Sequence, residues 1–75
     1  MNVQSIDCTG LNCPLPILRL SKAVKGLSPG ATIEMIATDP GAQKDVAAWA
    51  TQTGNELVES REEGGKYRFV VRKAA

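Results

Sequence analysis

Cys8 and Cys13 are the two residues of this 75-residue chain that are best suited to covalent chemistry. The chain contains no histidine, which excludes a Cys-His or Ser-His-Asp pair within one subunit and argues against a metal site. The reactive form of a cysteine is its thiolate, so the environment of each sulfur decides whether it can act as a nucleophile. Cys13 is of particular interest because it opens the run Cys13-Pro14-Leu15-Pro16, directly before a helical pattern.

The two prolines predict how Cys13 is held. Proline is well tolerated in the first turn of a helix, where its missing N–H removes no helical hydrogen bond. Pro14 also disfavours helical geometry at Cys13. We therefore predict that Cys13 is the N-cap of the first helix, with Pro14 at the first helical position and Pro16 at the third. The positive end of the helix would lower the pKa of the Cys13 thiol, but only moderately, because the prolines supply no amide donors.

The same residues also allow interpretations in which they have only a structural role. Either cysteine could be a small residue of the core, although serine or aspartate would cap a helix better than Cys13 does, which favours a working thiol there. Leu15 and Leu18 fall outside the buried stripe of the helix and close to Cys13. They form either an apolar docking edge for a partner protein or ordinary exposed leucines. Arg19 either adds positive potential near the thiol or is simply solvated.

Apolar residues at helical spacing predict two helices. The first helix ends before Ser28-Pro29-Gly30, and its buried stripe is Ile17, Leu20, Ala23, Val24 and Leu27. The second begins at Asp39-Pro40, with Asp39 as N-cap and Pro40 as the first helical residue, and ends at Gly54. Its buried stripe is Ala42, Val46, Trp49, Ala50 and Thr53.

Strands are predicted around these helices, at residues 3–8, with Ile6 pointing inward, and at residues 31–38, in a central position. A hairpin of residues 56–63 and 66–72 turns at Gly64-Gly65. Counting outward from that turn pairs Glu62 with Tyr67, Ser60 with Phe69 and Val58 with Val71 on the helix-facing side, and places Arg61 opposite Arg68 on the other side. The order predicts an α/β two-layer sandwich of βαβαββ topology, with a four-stranded mixed sheet and both helices on one face.

Length and charge restrict the class of protein. Residues 1–75 form a single domain, and the net charge of +1 argues against direct nucleic-acid binding. The first residues do not resemble a signal peptide and no apolar run could cross a membrane, so we expect a cytoplasmic protein without a disulfide, and nothing demands more than a monomer. No cofactor or metal is expected.

The motifs resemble those of one family. Ile6-Asp7, followed by Gly10-Leu-Asn-Cys13-Pro14-Leu-Pro16, is similar to the Cys-Pro-x-Pro signature of the TusA/SirA-like sulfur-carrier proteins. A second run, from Thr38-Asp39-Pro40-Gly41 to Gly54-Asn55-Glu56-Leu57, is similar to the second helix of that family and its exit. Such proteins share the βαβαββ sandwich. Two positions depart from the family, since Thr9 stands where many members have arginine and Asn55 where many have histidine. This predicts weaker electrostatic support for the thiol.

The resemblance implies a role in sulfur relay. Cys13 would carry sulfur as a persulfide, with Pro14, Pro16 and Asp39 as supporting residues. The donor would be a cysteine desulfurase or a rhodanese-like protein. The acceptor protein would serve tRNA thiolation, molybdenum-cofactor supply or sulfur oxidation. Whether such a carrier acts as an enzyme, a sulfurtransferase, stays open.

Two other functions compete with this one. Cys8 could act as a resolving thiol that forms a disulfide with Cys13, in a dithiol redox or regulatory module, although the spacing is not that of thioredoxin-like Cys-x-x-Cys enzymes. A pure interaction or RNA-binding module is also consistent with a small α/β sandwich. The charge balance and the scarcity of aromatic residues weigh against RNA binding.

Overall fold

A four-stranded mixed sheet carries two helices on one face, as the sequence predicts. The computed structural model describes residues 4–12 and 14–74. Cys13 and Val3 therefore lie outside the described residues. The elements in chain order are β1 Gln4–Cys8, α1 Leu15–Lys25, β2 Thr32–Ala37, α2 Ala42–Thr53, β3 Glu56–Glu63 and β4 Lys66–Arg72.

The strands lie in the order β1-β2-β4-β3, so β2 is central as predicted. β1 is parallel to β2, whereas β4 is antiparallel to both β2 and β3. Alternate residues of β2 are buried, as expected when the helices cover only one face of a sheet. The fully buried sheet residues that face the helices are Cys8, Ile33, Met35, Ala37, Phe69 and Val71. Ile6 is half-buried against this core, which confirms its predicted direction.

The predicted apolar stripes are the faces that the helices bury. α1 buries Leu20 and Val24, with Ile17 and Ala23 at the margin of the core. α2 buries Ala42, Val46, Trp49 and Ala50. Each fully buried leucine or valine of these stripes contributes about 1.5–3 kcal/mol through burial. Thr53, the last member predicted for the second stripe, is exposed instead, and its hydroxyl donates to the carbonyl of Trp49 (2.7 Å).

The predicted start of the first helix is wrong by one residue. Pro14, and not Cys13, occupies the N-cap position, so Leu15 is the first helical residue and Pro16 the second. The amide of Leu15 donates to the carbonyl of Asn12 (2.9 Å), and the carbonyl of Pro14 accepts the first helical hydrogen bond, from Leu18 (3.1 Å). The bond between Leu15 and Asn12 satisfies an amide that has no partner within the helix, and it closes a turn directly before α1.

The predicted start of the second helix is also wrong, by two residues. Gly41, and not Asp39, is the N-cap of α2. The Asp39 carboxylate instead accepts from the amide of Gly41 (3.3 Å), and its carbonyl accepts from the amide of Ala42 (2.9 Å). Asp39 and Pro40 thus form a tight turn of the kind that aspartate favours, and the helix begins after it.

The hairpin follows the predicted register near its turn and departs from it farther out. Gly64 and Gly65 both have positive φ (56° and 82°), and Glu62–Tyr67, Ser60–Phe69 and Arg61–Arg68 are the observed pairs. The predicted pair of Val58 with Val71 is wrong, because a β-bulge between Leu57 and Glu59 shifts the register. Leu57 pairs with Val71 and packs on the core, whereas the side chain of Val58 is exposed.

Side chains form contacts between segments that are far apart in sequence at two places. On the outer face of the sheet, Arg68 forms ion pairs with Glu34 of β2 and Glu59 of β3, so the predicted like-charge pair of Arg61 and Arg68 is compensated. At the end of α1, the Lys73 ammonium donates to the carbonyls of Leu27 (2.7 Å) and Lys25 (3.3 Å). A cation at this position both satisfies unpaired carbonyls and interacts favourably with the negative end of the helix.

Candidate functional site

The loop that leads from β1 towards position 13 is held by hydrogen bonds. The amide of Gly10 donates to Oγ1 of Thr38, at the end of β2 (2.8 Å), and the amide of Leu11 donates to the carbonyl of Cys8 (3.2 Å). Gly10 has φ of +78°, a conformation that glycine adopts readily and other residues avoid. The approach to Cys13 is therefore fixed to the carboxyl ends of the two parallel strands, β1 and β2.

Asp7 fixes the first part of this loop. Its carboxylate accepts a hydrogen bond from the amide of Thr9 (2.9 Å). Hydrogen bonds from the backbone and the hydroxyl of Thr9 lower the pKa of the Asp7 carboxyl below its ordinary value. Thr9, which departs from the family pattern, therefore has a structural role at the exit of β1.

The first turn of α1 offers few amide donors to a neighbouring anion. The amide of Leu15 is engaged with Asn12, and Pro14 and Pro16 have no N–H. The turn contains no acidic residue, and Pro16 is fully buried, so its ring anchors the helix start to the core. This arrangement agrees with a moderate rather than an extreme lowering of the pKa of a thiol at position 13, which stays a prediction.

A groove between the two helices begins at Pro14. It has a volume of about 250 Å³, and its lining includes Pro14, Ile17, Asp45 and Trp49. Asp45 belongs to the first turn of α2, where a carboxylate interacts favourably with the positive end of that helix. The groove places one acidic and several apolar groups within reach of a partner that approaches the start of α1.

Asp39, predicted as a supporting residue, lies at the end of β2 and builds the turn that starts α2. A carbon added to Gly41 would lie 3.7 Å from Asp39 Oδ2 and 3.9 Å from Asp45 Oδ2, so both carboxylates converge on this glycine. The structure thus places Asp39 in the frame that positions α2 beside α1. Its effect on Cys13 stays a prediction.

The residues predicted for docking lie on the surface of α1. Leu15 and Leu18 are 47% and 58% exposed, and within the described ranges the only other large hydrophobic side chain this exposed is Val58, at 45%. Arg19, also exposed, follows directly after Leu18. Two large apolar side chains and a cation therefore share the surface of the helix that begins after Cys13.

Cys8 lies at the end of β1 and is completely buried. Burial raises the pKa of its thiol above the ordinary value, an effect that Arg19 partly offsets. A buried, protonated thiol is a poor nucleophile. Cys8 is therefore a buried residue at the end of a strand, in an environment that does not favour thiol exchange.

Asn55, the second departure from the family pattern, lies far from the start of α1. Its side-chain carbonyl accepts from the amide of Ala74 (2.8 Å), and its amide donates to Thr53 Oγ1 (2.9 Å). It lines a surface groove together with Lys25, the last residue of α1. Residue 55 therefore lies beside the C-terminal half of α1, where Ser21 and Val24 line the same groove.

Sequence reasoning missed Thr38 as a residue of the site. Nothing in its own surroundings indicates a bond to Gly10, because the two residues are 28 positions apart. The role of Asp7 could be predicted from the neighbouring residues. Aspartate favours a turn in which its carboxylate accepts a hydrogen bond from the amide two residues later, and here that residue, Thr9, is followed by Gly10.

No helix within residues 4–12 and 14–74 has the length and apolar character needed to cross a bilayer. Within the same ranges, no three or more His, Cys, Asp and Glu side chains are grouped so as to hold a metal ion.

Comparison with known proteins gives consistent matches over nearly the whole chain. The family described as Sulfurtransferase TusA matches residues 4–73. The sulfur carrier protein TusA of Allochromatium vinosum is 56% identical over 71 residues, which cover 95% of this chain and 93% of that protein. Its counterpart in Pseudomonas aeruginosa is 44% identical over 70 residues, covering 93% and 89%. A crystal structure of a SirA-like protein from Desulfitobacterium hafniense shares the fold, with a TM-score of 0.85 at 20% identity over 97% of this chain and 100% of that one.

Proposed function

Because this chain belongs to the TusA family of sulfurtransferases, we propose that it is a sulfur carrier in which Cys13 holds the transferred sulfur as a persulfide. The observation that carries the proposal is the Cys13-Pro14-Leu15-Pro16 run at the start of α1, in a chain whose curated relatives are named sulfur carrier proteins. The only other thiol, Cys8, is buried.

Each transfer is a thiol exchange. The Cys13 thiolate attacks the outer sulfur of a cysteine persulfide on the donor, a new S–S bond forms, and the donor cysteine leaves as a thiolate. In the second transfer, a thiolate of the acceptor attacks the outer sulfur on Cys13, and the Cys13 thiolate is the leaving group. No electrons are gained or lost overall, and no general base is required, which is compatible with a chain that lacks histidine.

The start of α1 supports such a thiolate without stabilising it excessively. A thiol exchanges fastest when its pKa is near the ambient pH, because a very low pKa weakens both its nucleophilicity and the driving force for attack. The helix terminus favours the anion, while the two prolines limit the number of amides that could hold it. A reversible carrier needs this compromise, since Cys13 must act first as nucleophile and then as leaving group.

Leu15, Leu18 and Arg19 form the surface that we assign to donor and acceptor. Their exposure beside position 13 fits a contact that forms and dissociates, because apolar area supplies affinity and a cation orients an acidic partner. A cysteine desulfurase or rhodanese-like protein is the proposed donor. The proposed acceptor is a protein of tRNA thiolation, molybdenum-cofactor supply or sulfur oxidation.

The dithiol alternative receives no support from the position of Cys8. Complete burial and a raised pKa both oppose the attack of its thiol on a persulfide at Cys13.

Loading with sulfur tests the proposal. The chain is incubated with a cysteine desulfurase and cysteine, or with a rhodanese and thiosulfate, and its intact mass is measured. Wild type and Cys8→Ala should each gain one sulfur atom that a reductant removes, whereas Cys13→Ser should gain none. A Cys13→Ser protein that still accepts sulfur would disprove the proposal, and loss of two protons in the wild type instead of a gain of sulfur would favour the dithiol module.

A further inference from the structure

The sheet has two edges of different character. β1 forms one edge and β3 the other, and β1 pairs only with β2 among the strands of the described residues. One side of the β1 backbone is therefore unpaired. An unpaired edge can template the addition of another strand unless charges, bulges or a covering element prevent it.

The β3 edge carries such protection. It contains four glutamates (Glu56, Glu59, Glu62 and Glu63), and the bulge between Leu57 and Glu59 interrupts its ladder. β1 has no bulge in its pairing with β2, and its one charged residue, Asp7, is engaged with Thr9 at the strand end. Strand addition is thus disfavoured at β3 and allowed at β1.

A groove runs between the β1 edge and the exposed side of α1. It has a volume of about 420 Å³ and is lined by Ile6, Arg19, Lys22 and Ala23. Ile6 and Ala23 pack partly against the core and provide the apolar part of the lining. Ser5, the neighbour of Ile6, bonds to Glu34 on the outer face of the sheet, so the groove and Ser5 lie on opposite faces.

The groove is positively charged, and its cations form no ion pair within the described residues. α1 contains Arg19, Lys22 and Lys25 and no acidic residue. The arginines of the hairpin, Arg61, Arg68 and Arg72, each have a carboxylate partner, whereas no ion pair within the described residues engages Arg19 or Lys22. The complementary ligand therefore combines an apolar side chain with carboxylates.

We propose that an extended acidic segment of a partner protein adds to β1 as a further strand, with an apolar side chain in this groove and carboxylates against Arg19 and Lys22. Side chains two residues apart lie on the same face of a strand, about 6.8 Å apart, and residues three apart on a helix are about 5–6 Å apart. Two carboxylates at successive positions on one face of a strand therefore match Arg19 and Lys22, so the matching segment has an apolar residue, an acidic residue and an acidic residue at alternate positions. The groove shares Arg19 with the surface assigned to donor and acceptor, but its other lining residues differ, and the proposal does not depend on the sulfur-carrier function.

Synthetic peptides test the pattern. The peptide Thr-Val-Thr-Glu-Thr-Glu-Thr places both carboxylates on the face of its valine, and Thr-Thr-Val-Glu-Thr-Glu-Thr, of the same composition, places them on the opposite face. In ¹H–¹⁵N NMR titrations of the full chain, the first peptide should shift the amides of Gln4–Cys8 and slow their hydrogen exchange, while the second should bind about tenfold more weakly. Equal binding of the two peptides, or no effect on β1, would overturn the proposal.

Two lysines of α1 give a matched pair of variants. Lys22 lines the groove and Lys25 does not, although both lie in the last turn of the helix. Lys22→Glu should weaken binding of the first peptide about tenfold, because attraction becomes repulsion, and Lys25→Glu by no more than about twofold. Equal effects of the two substitutions would show that only net charge matters and would reject the groove.

Backbone pairing is tested with N-methylated peptides. Methylation of alternate amides along one edge of the first peptide should abolish binding, and methylation along the other edge should not, because only one edge faces β1. If neither methylated peptide loses affinity, strand addition is excluded. Sedimentation of the chain alone tests whether a second copy of this chain, and not a partner segment, binds at β1. Self-association that Lys22→Glu abolishes would support the second copy and reject the partner segment.

Discussion

The backbone amide of Gly10 donates a hydrogen bond to Oγ1 of Thr38 across 2.8 Å, and this contact joins the loop before α1 to the end of β2. β2 in turn leads through Asp39 into α2, so one side chain connects the entrances of both helices. The position of the loop at Gly10 relative to the start of α2 therefore depends on the side chain of Thr38.

Removal of this hydroxyl should loosen the loop. Thr38→Val keeps the shape of the side chain but leaves the amide of Gly10 without its partner. We expect a loss of about 1 kcal/mol in the free energy of unfolding, measured in urea, and faster hydrogen exchange at the Gly10 amide. Thr51→Val is the control, since the Thr51 hydroxyl bonds only to the carbonyl of Ala47 in its own helix (3.1 Å). If both variants gave the same exchange rate at Gly10, the contact would have no role in holding the loop.

The two thiols should differ in reactivity. Iodoacetamide at neutral pH should modify Cys13 first, with an apparent pKa below the usual value of about 8.5, and should reach Cys8 only after unfolding in urea. Complete burial and a raised pKa are the reasons for the protection of Cys8. Peptide mapping by mass spectrometry measures both rates, and Cys8→Ala should leave the rate at Cys13 unchanged. Modification of Cys8 as fast as Cys13 in the native protein would contradict the structure.

The exposed leucines of α1 should affect partner binding rather than the thiol itself. Leu15→Asn and Leu18→Asn should each slow sulfur transfer from a donor protein about fivefold or more, because each removes apolar contact area worth about 1 kcal/mol. Neither should change the alkylation of Cys13 by iodoacetamide. Val58→Asn is the matched control, since Val58 has similar exposure on β3. An equal slowing by Val58→Asn would show that the docking surface is elsewhere.

Asp7 should make stability depend on pH in the acidic range. Because hydrogen bonds from Thr9 lower the pKa of the folded carboxyl, the unfolded chain binds the proton more readily. The stabilisation is therefore complete above the unfolded pKa of about 3.9 and is lost as the pH falls through the lowered folded value. The difference in free energy of unfolding between wild type and Asp7→Asn should be largest near neutral pH and shrink below about pH 4. Thr9→Ala, which keeps the backbone donor, should retain part of this dependence, and a difference that is constant with pH would refute the assignment.

Pro16 should matter for stability through its buried ring. Pro16→Ala removes buried apolar surface and gives the unfolded chain more freedom, so we expect a loss of about 2 kcal/mol, measured by thermal and urea denaturation. Pro29→Ala, at an exposed position after α1, is the control and should cost less than about 1 kcal/mol. Equal losses in the two variants would indicate that the effect lies in the unfolded chain and not in the packing of Pro16.

Local patterns predicted the fold because its main determinants are local. The stripe of Leu20 and Val24, the turn at Gly64-Gly65 and the helix end at Gly54 (φ of 76°) each depend on neighbouring residues. The starts of the helices were mispredicted for a different reason. At Leu15 and at Ala42 a turn hydrogen bond precedes the helix, and where that turn forms depends on where the preceding strand or loop ends.

The sequence predicts the candidate reactive residues of the site, but it does not predict the contacts between distant segments that hold the surrounding structure. Cys13 and its prolines stand together in the sequence, and so do the leucines beside them. The bond of Thr38 to Gly10 and the bulge that directs Leu57 inward depend on packing between distant segments. No local pattern contains that information, because it arises only when the sheet has formed.

The contacts of Lys73 determine when the end of α1 is stabilised during synthesis of the chain. Its ammonium binds the carbonyls at the end of α1, and it directly follows β4, which lies in the interior of the sheet between β2 and β3. During synthesis, therefore, the helix that follows Cys13 lacks its final support until the last of the four strands has emerged from the ribosome. Folding must wait for that strand to enter the middle of the sheet, and the end of α1 receives the contacts of Lys73 only after residue 73 has been translated.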